Sequence, residues 1–146
     1  MTLVSELGVD MSPWPTVKRF ASWLALCPAN NVSGGKVLRR GKRRTANRAA
    51  QAFRMAASSL HHSDSALGAF YRRKRAQLGP QKAMDATAHR LARIYYHMMK
   101  YKTAYVDLGA GEYEERFRAH QMAVCARMAK KLGMRLEPLE ATAMAS

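Results

Sequence analysis

An all-α fold is predicted by three features of the sequence. Apolar residues recur at the three-and-four spacing of a helix through most of the chain. Strand-type alternation is nearly absent, and helix start and stop residues punctuate the apolar stripes. The chain of 146 residues suits one compact domain, or one domain with tails. With 48% hydrophobic and 24% charged residues it has the composition of a folded protein rather than a disordered one. The expected architecture is a small helical domain with one irregular basic loop or arm between its first and second long helices.

The elements follow in order. Leu3, Val4 and Leu7 read as the last turns of a helix, with Gly8 just past its end. Asp10 to Pro15 is a turn-rich link. Thr16 can N-cap a helix carrying Val17, Phe20, Ala21 and Leu24, which ends before Pro28. Asn30 to Gly35 is a turn or loop, and Lys36 to Arg44 is too charged to bury, so it reads as an extended arm or a hairpin. A long helix is expected from near Thr45 to about Leu60, with Ala50, Phe53, Ala57 and Leu60 in its stripe. Ser63 or Asp64 can cap a further helix to Leu78, closed by Gly79, and Pro80 suits the first turn of the next, which runs to about Tyr101. Its apolar stripe is read as Met84, Thr87, Leu91, Ile94, Tyr95 and Met98. Glu112, Glu114 and Glu115 sit where a helix N-terminus prefers negative charge, and that helix stops at Gly133. The tail from 136 to 146 is expected to be flexible.

Charge narrows the function. Lys and Arg number 25 against 10 Asp and Glu, a formal net charge of +15, with a pI near 10.5. Between Asp10 and Asp64 there is no acidic residue, while Lys18, Arg19, Lys36, Arg39, Arg40, Lys42, Arg43, Arg44, Arg48 and Arg54 fall in that gap. Such an excess points to a polyanionic partner, nucleic acid first and an anionic membrane surface second. No apolar run is long enough to span a bilayer, and the start lacks the basic and apolar regions of a signal peptide. A cytoplasmic, bacterial-type, nucleoid-associated protein is therefore expected. Cys27 and Cys125 are too few for a disulfide scaffold or a four-cysteine zinc site and read as reduced, buried thiols. Phosphate-loop, zinc-protease and paired-cysteine motifs are absent. Tyr95, Tyr96 and Tyr101 suggest a tyrosine nucleophile, but His89 and Arg93 have the wrong spacing for that recombinase class.

The most informative segment places Ser33 between two asparagines and two glycines, beside a dense basic run. Gly34 and Gly35 let a backbone approach a phosphate closely, and Lys36, Arg39 and Arg40 supply charge for it. A serine hydroxyl so placed can attack a phosphodiester if a neighbour takes its proton. The competing reading is a Ser-Gly turn that tethers a basic arm.

The run from Phe20 to Asn47 (FASWLALCPANNVSGGKVLRRGKRRTAN) resembles the C-terminal transposase domain of the DEDD-type insertion-sequence transposases, the IS-110 / IS-116 / IS-902 group. Ala21, Ser22, Trp23, Leu26, Pro28, Ser33, Gly34 and Lys36 match its pattern. Tyr71-Arg-Arg, Gly79, Lys82-Ala83 and the stretch from Ala88 to Met99 also fit, so the resemblance extends over about residues 1 to 105. The chain departs from the pattern at Ala25, where a glycine is common, and at Ala46, where a glycine usually precedes the asparagine. The first change alters the turn into the loop, and the second favours an earlier start of the following helix.

This resemblance implies a recombinase that moves an insertion sequence, with Ser33 as the nucleophile forming a seryl–DNA species. Lys36, Arg39, Arg40, Lys42, Arg43, Arg44 and Arg48 would hold the nucleic acid, and Asn31, Gly34 and Gly35 would shape the loop. DNA is the implied partner, together with a guide RNA and further copies of the full-length protein. No metal site is expected in this chain. Mg²⁺ would belong to an N-terminal RuvC-like domain, whose four acidic ligands the few carboxylates here cannot replace. The helix remnant at the start suggests an N-terminally truncated protein, inactive by itself. Residues 1–15 would then be the remnant of a helix-hairpin-helix element and link, 16–106 the domain core, 107–135 a C-terminal helix and 136–146 the tail. The alternative is a non-catalytic, basic helical nucleic-acid-binding module.

Overall fold

The structure, a computed structural model, describes residues 2–27, 29–41 and 47–137. Helix α1 (Thr2–Leu7) closes with the Gly8 N–H on the Val4 carbonyl at 2.9 Å. The link after it leads to α2 (Val17–Trp23), whose first turn is capped by Thr16: its hydroxyl accepts the Arg19 N–H at 3.3 Å. A two-stranded antiparallel hairpin follows, β1 (Ala29–Ser33) and β2 (Lys36–Gly41). Of the two conformations open to the basic segment, an arm or a hairpin, the chain adopts the hairpin. The fold is otherwise helical, as expected.

Helix α3 (Arg48–Ser59) begins later than Thr45, because Asn47 caps it: its side-chain oxygen accepts the Ala50 N–H at 3.1 Å. Ala46 itself lies outside the described residues. A short 3₁₀ turn (Leu60–His62) leads to α4 (Ala66–Leu78). Its cap is Ser65 rather than Ser63 or Asp64: Ser65 Oγ takes the Gly68 N–H at 3.0 Å and in turn accepts the Ser63 hydroxyl at 2.8 Å. Asp107 adds a carboxylate to this helix start, accepting the Ala66 N–H at 3.1 Å. Gly79 separates α4 from α5 (Pro80–Tyr101), which Pro80 opens as expected, and α6 (Gly109–Lys131) follows.

Helix α5 is the central element, packed by α2, α3 and α4. Its buried line is Ala83, Thr87, Ala88, Ala92 and Tyr96, rotated from the expected stripe, of which only Thr87 is fully enclosed. Alanines let the neighbouring helices close in, and the bulkier Met84, Leu91 and Tyr95 wrap the edges half-buried. Around this line lie Phe20 and Leu24 of α2, and Ala50, Phe53 and Ala57 of α3, with Phe20 and Tyr96 rings 5.5 Å apart. The link is pinned to α5 by polar tethers. Tyr95 donates to the Gly8 carbonyl at 2.9 Å, Tyr96 to that of Trp14 at 2.8 Å, and Lys100 to that of Pro15 at 2.7 Å. The tyrosines suggested as nucleophiles thus include two that hold the N-terminal segment in place. Helix α6 has no fully buried residue; its first turns lean on α4, with the Arg73 guanidinium 3.3 Å above the Phe117 ring.

Candidate nucleic-acid interface

The hairpin turns on Gly34 and Gly35, both at positive φ (+55° and +76°). This is the backbone that a two-residue turn needs to follow the strand twist, and L side chains adopt it at a cost. A Cβ on either glycine would meet no atom within 4 Å, so conformation rather than space requires glycine there. Ser33 and Lys36 are the paired residues that flank the turn, and both are exposed. The tip therefore presents a hydroxyl, two unencumbered glycines and an ammonium together. Asn31 pairs with Arg39 and Asn30 with Arg40 farther down the ladder. The register shifts between Asn31 and Val32, which makes Leu38 the extra residue of β2. Lys42, Arg43 and Arg44 lie outside the described residues.

The hairpin springs from a tight helix end. The Ala25 N–H donates to Ser22 at 2.9 Å and the Leu26 N–H to Ala21 at 3.1 Å, the paired bonds of a left-handed helix stop. Ala25 takes the left-handed backbone, with φ +50°, and is buried. Cys27, at the root of the hairpin, sits with its Sγ 3.9 Å from His89 Nε2 on α5. Burial raises the Cys27 pKa, which keeps the thiol protonated. His89 titrates below its ordinary value, from burial first and the Arg93 charge second. The expectation of two buried thiols needs correction: Cys27 is half-buried and Cys125 is exposed on α6. The pairing of Cys27 with His89 spans 62 positions and carries no local sequence signal.

Arg48 opens α3 and pairs with Glu6 of α1 at 3.3 Å, an exposed contact of the kind worth about 0–1 kcal/mol and easily exchanged for a phosphate. Among the described residues no hydrogen bond joins Ser33 Oγ to a histidine or carboxylate. No group of three or more His, Cys, Asp or Glu among them can hold a metal ion. Four carboxylates serve elsewhere: Asp85 on Arg54 at 2.9 Å, Glu112 on Arg116 at 2.8 Å, Glu114 on Arg73, and Asp107 on the start of α4. The Mg²⁺ implied by the resemblance belongs to a separate domain, and among the described residues none is grouped to hold it. No helix among the described residues is long and apolar enough to cross a membrane.

Residues 1–72 match the Transposase IS116/IS110/IS902 family, just under half of the chain. The match takes in α1, α2, the hairpin, α3 and the first half of α4. The likeness expected from 73 to about 105 lies outside it. No curated protein and no solved structure matches. The family match supports a transposase-related function, that of a DNA recombinase, and implies interaction with DNA.

Proposed function

We propose that the chain acts as the serine-bearing, C-terminal domain of a DEDD-type insertion-sequence transposase and cuts and joins DNA strands through a seryl–DNA intermediate. The observation that carries this reading is Ser33 at an exposed glycine turn, paired with Lys36, inside the segment that matches the transposase family. Ser33 Oγ attacks a DNA phosphorus. A serine–phosphate bond forms, the bond to one deoxyribose oxygen breaks, and that oxygen leaves as a hydroxyl after taking a proton. Attack by a second strand end on the serine ester reverses the step and joins the strands. The Lys36 ammonium offsets charge on the phosphate oxygens, and the N–H groups of the glycine turn face a group that approaches closely. Arg39, Arg40, Lys42, Arg43, Arg44 and Arg48 hold the flanking backbone, with Asn31 shaping the strand.

The proton acceptor and the metal ligands come from outside these residues, in this reading from a RuvC-like domain. A guide RNA and further copies of the protein complete the assembly. The test is direct. Supplied with a RuvC-like domain and guide RNA, the wild-type chain forms a covalent protein–DNA adduct that survives denaturing gel electrophoresis. Ser33→Ala abolishes that adduct and leaves DNA affinity and folding within about 1 kcal/mol of wild type. Alanine variants of Ser22, Ser58 and Ser59, which lie on helices, still form it. Normal recombination by Ser33→Ala would return the hairpin to the second reading, a non-catalytic nucleic-acid-binding module.

A further inference from the structure

Helix α5 carries a face that neither the core nor the hairpin explains. Its buried residues occupy one side, and the solvent side shows Lys82, Ala86, His89, Arg90, Arg93 and His97 at helical spacing. Lys82, Arg90, Arg93 and His97 are exposed, and His89 is half-buried beside Cys27. No carboxylate interrupts this arc. The one acidic residue of α5, Asp85, is bound to Arg54 of α3. Arg90 lies over the Phe70 ring at 4.6 Å, at the margin toward α4. Among the described residues no ion pair engages Lys82 or Arg93. Surfaces that merely face water interleave both signs of charge, because a single-sign row repels itself. From Lys82 to His97 the row runs about 22 Å along a straight helix, roughly two-thirds of a duplex turn.

We propose that this stripe, Lys82, His89, Arg93 and His97, is a second contact surface for duplex DNA and holds the sugar–phosphate backbone beside the hairpin. The contact between Cys27 and His89 joins the hairpin root to the middle of the stripe, so a duplex whose strand reaches Ser33 passes along α5. Lys82 and Arg93 carry fixed positive charge, and no tyrosine, phenylalanine or tryptophan lies between them on α5, which suits a backbone rather than the stacked bases of a single strand. The assignment rests on the proposed function for its choice of DNA, and none of these residues belongs to the basic run of the hairpin.

The test uses the 146-residue chain and a fluorescently labelled random-sequence DNA duplex, with binding read by anisotropy across a salt series. The triple variant Lys82→Gln/Arg93→Gln/His97→Gln is expected to bind at least tenfold more weakly. Its log–log salt slope should be shallower by about 2, at roughly 0.9 for each of the two fixed charges, Lys82 and Arg93, that it removes from phosphates. Arg127→Gln/Lys131→Gln, which removes charge from exposed α6, retains the wild-type slope. A hairpin variant, Lys36→Ala/Arg39→Ala/Arg40→Ala, separates the two proposals. If the hairpin variant alone weakens binding, the stripe proposal falls and the hairpin reading stands. If the stripe variant alone weakens it, the stripe holds and the hairpin clamp falls. Equal losses in the α6 variant overturn the assignment. Acetylation of the wild-type chain gives a readout independent of variant folding: bound duplex protects Lys82 and leaves Lys131 reactive, and an unprotected Lys82 overturns the proposal.

Discussion

At the residue scale, Ala25 holds a left-handed backbone that glycine adopts more readily. Its backbone is left-handed, which costs an L residue about 1–2 kcal/mol, and both bonds of the helix stop depend on it. Ala25→Gly relieves that strain but gives up a buried methyl and frees the unfolded chain, opposing terms of about 0.4–1 kcal/mol each. We expect urea unfolding to show Ala25→Gly equal to wild type or slightly more stable, and Ala25→Val less stable by about 2 kcal/mol or more. A glycine variant clearly weaker than wild type would mean that the methyl contact outweighs the strain. His89 makes a pH-dependent contribution. Burial and then Arg93 lower its pKa in the fold, so the unfolded chain takes up the proton more readily. Its contribution is therefore favourable above the ordinary histidine value of about 6.5 and is lost as pH falls through that value toward the depressed folded one. Melting temperatures followed from pH 7.5 to pH 5 should fall, and His89→Gln should flatten that fall. An unchanged pH profile in the variant would remove His89 from the account.

At the element scale, helix existence was legible and helix ends only partly so. Thr16 and Pro80 are unambiguous starts, since one oxygen and one missing N–H each have a single place to act. The run Ser63-Asp64-Ser65 offers three capping residues in a row, and composition cannot choose among them. The choice is made by packing, and Gly68 records it. A Cβ at Gly68 would lie 2.1 Å from the Ser63 carbonyl oxygen and 3.0 Å from that of Leu60, which is rigid backbone rather than a movable side chain. The first turn of α4 rests against the 3₁₀ turn at this point, and Arg72 ties the same loop by donating to the Ser63 and His61 carbonyls at 2.7 and 3.2 Å. Gly68→Ala would be a helix-favouring change in an isolated peptide. Here we expect it to destabilise the protein by about 2–3 kcal/mol, because the backbone must move to admit the methyl. Thermal unfolding settles the sign, and a stabilised variant would show that the turn yields easily. The buried line of α5 departs from the expected stripe for a related reason: periodicity marks an apolar side but not which residues are small enough to sit under a neighbouring helix.

At the scale of the whole molecule, the candidate site is a short hairpin on a helical base, and its parts were unequally legible. Two consecutive glycines beside a serine announce the turn. The contacts that anchor it, such as Cys27 with His89, join positions far apart in sequence and emerge only on folding. The same geography limits what the chain does alone. Among the described residues Glu6, Asp85, Glu112 and Glu114 pair with arginines and Asp107 caps α4, and no hydrogen bond links a histidine or carboxylate to Ser33. An unactivated hydroxyl attacks a phosphodiester extremely slowly, whereas charge alone suffices for binding. Binding and chemistry should therefore separate cleanly. The 146-residue chain is expected to hold duplex DNA with an affinity that falls steeply with salt, and changing Arg39, Arg40, Arg43 and Arg44 to alanine should weaken all sequences alike. Incubated with supercoiled DNA and Mg²⁺, the same chain should leave the plasmid uncut and form no covalent adduct. Cleavage by the chain alone would mean that a proton acceptor and metal ligands lie within it after all, and the division of labour between Ser33 and a separate acidic domain would have to be abandoned.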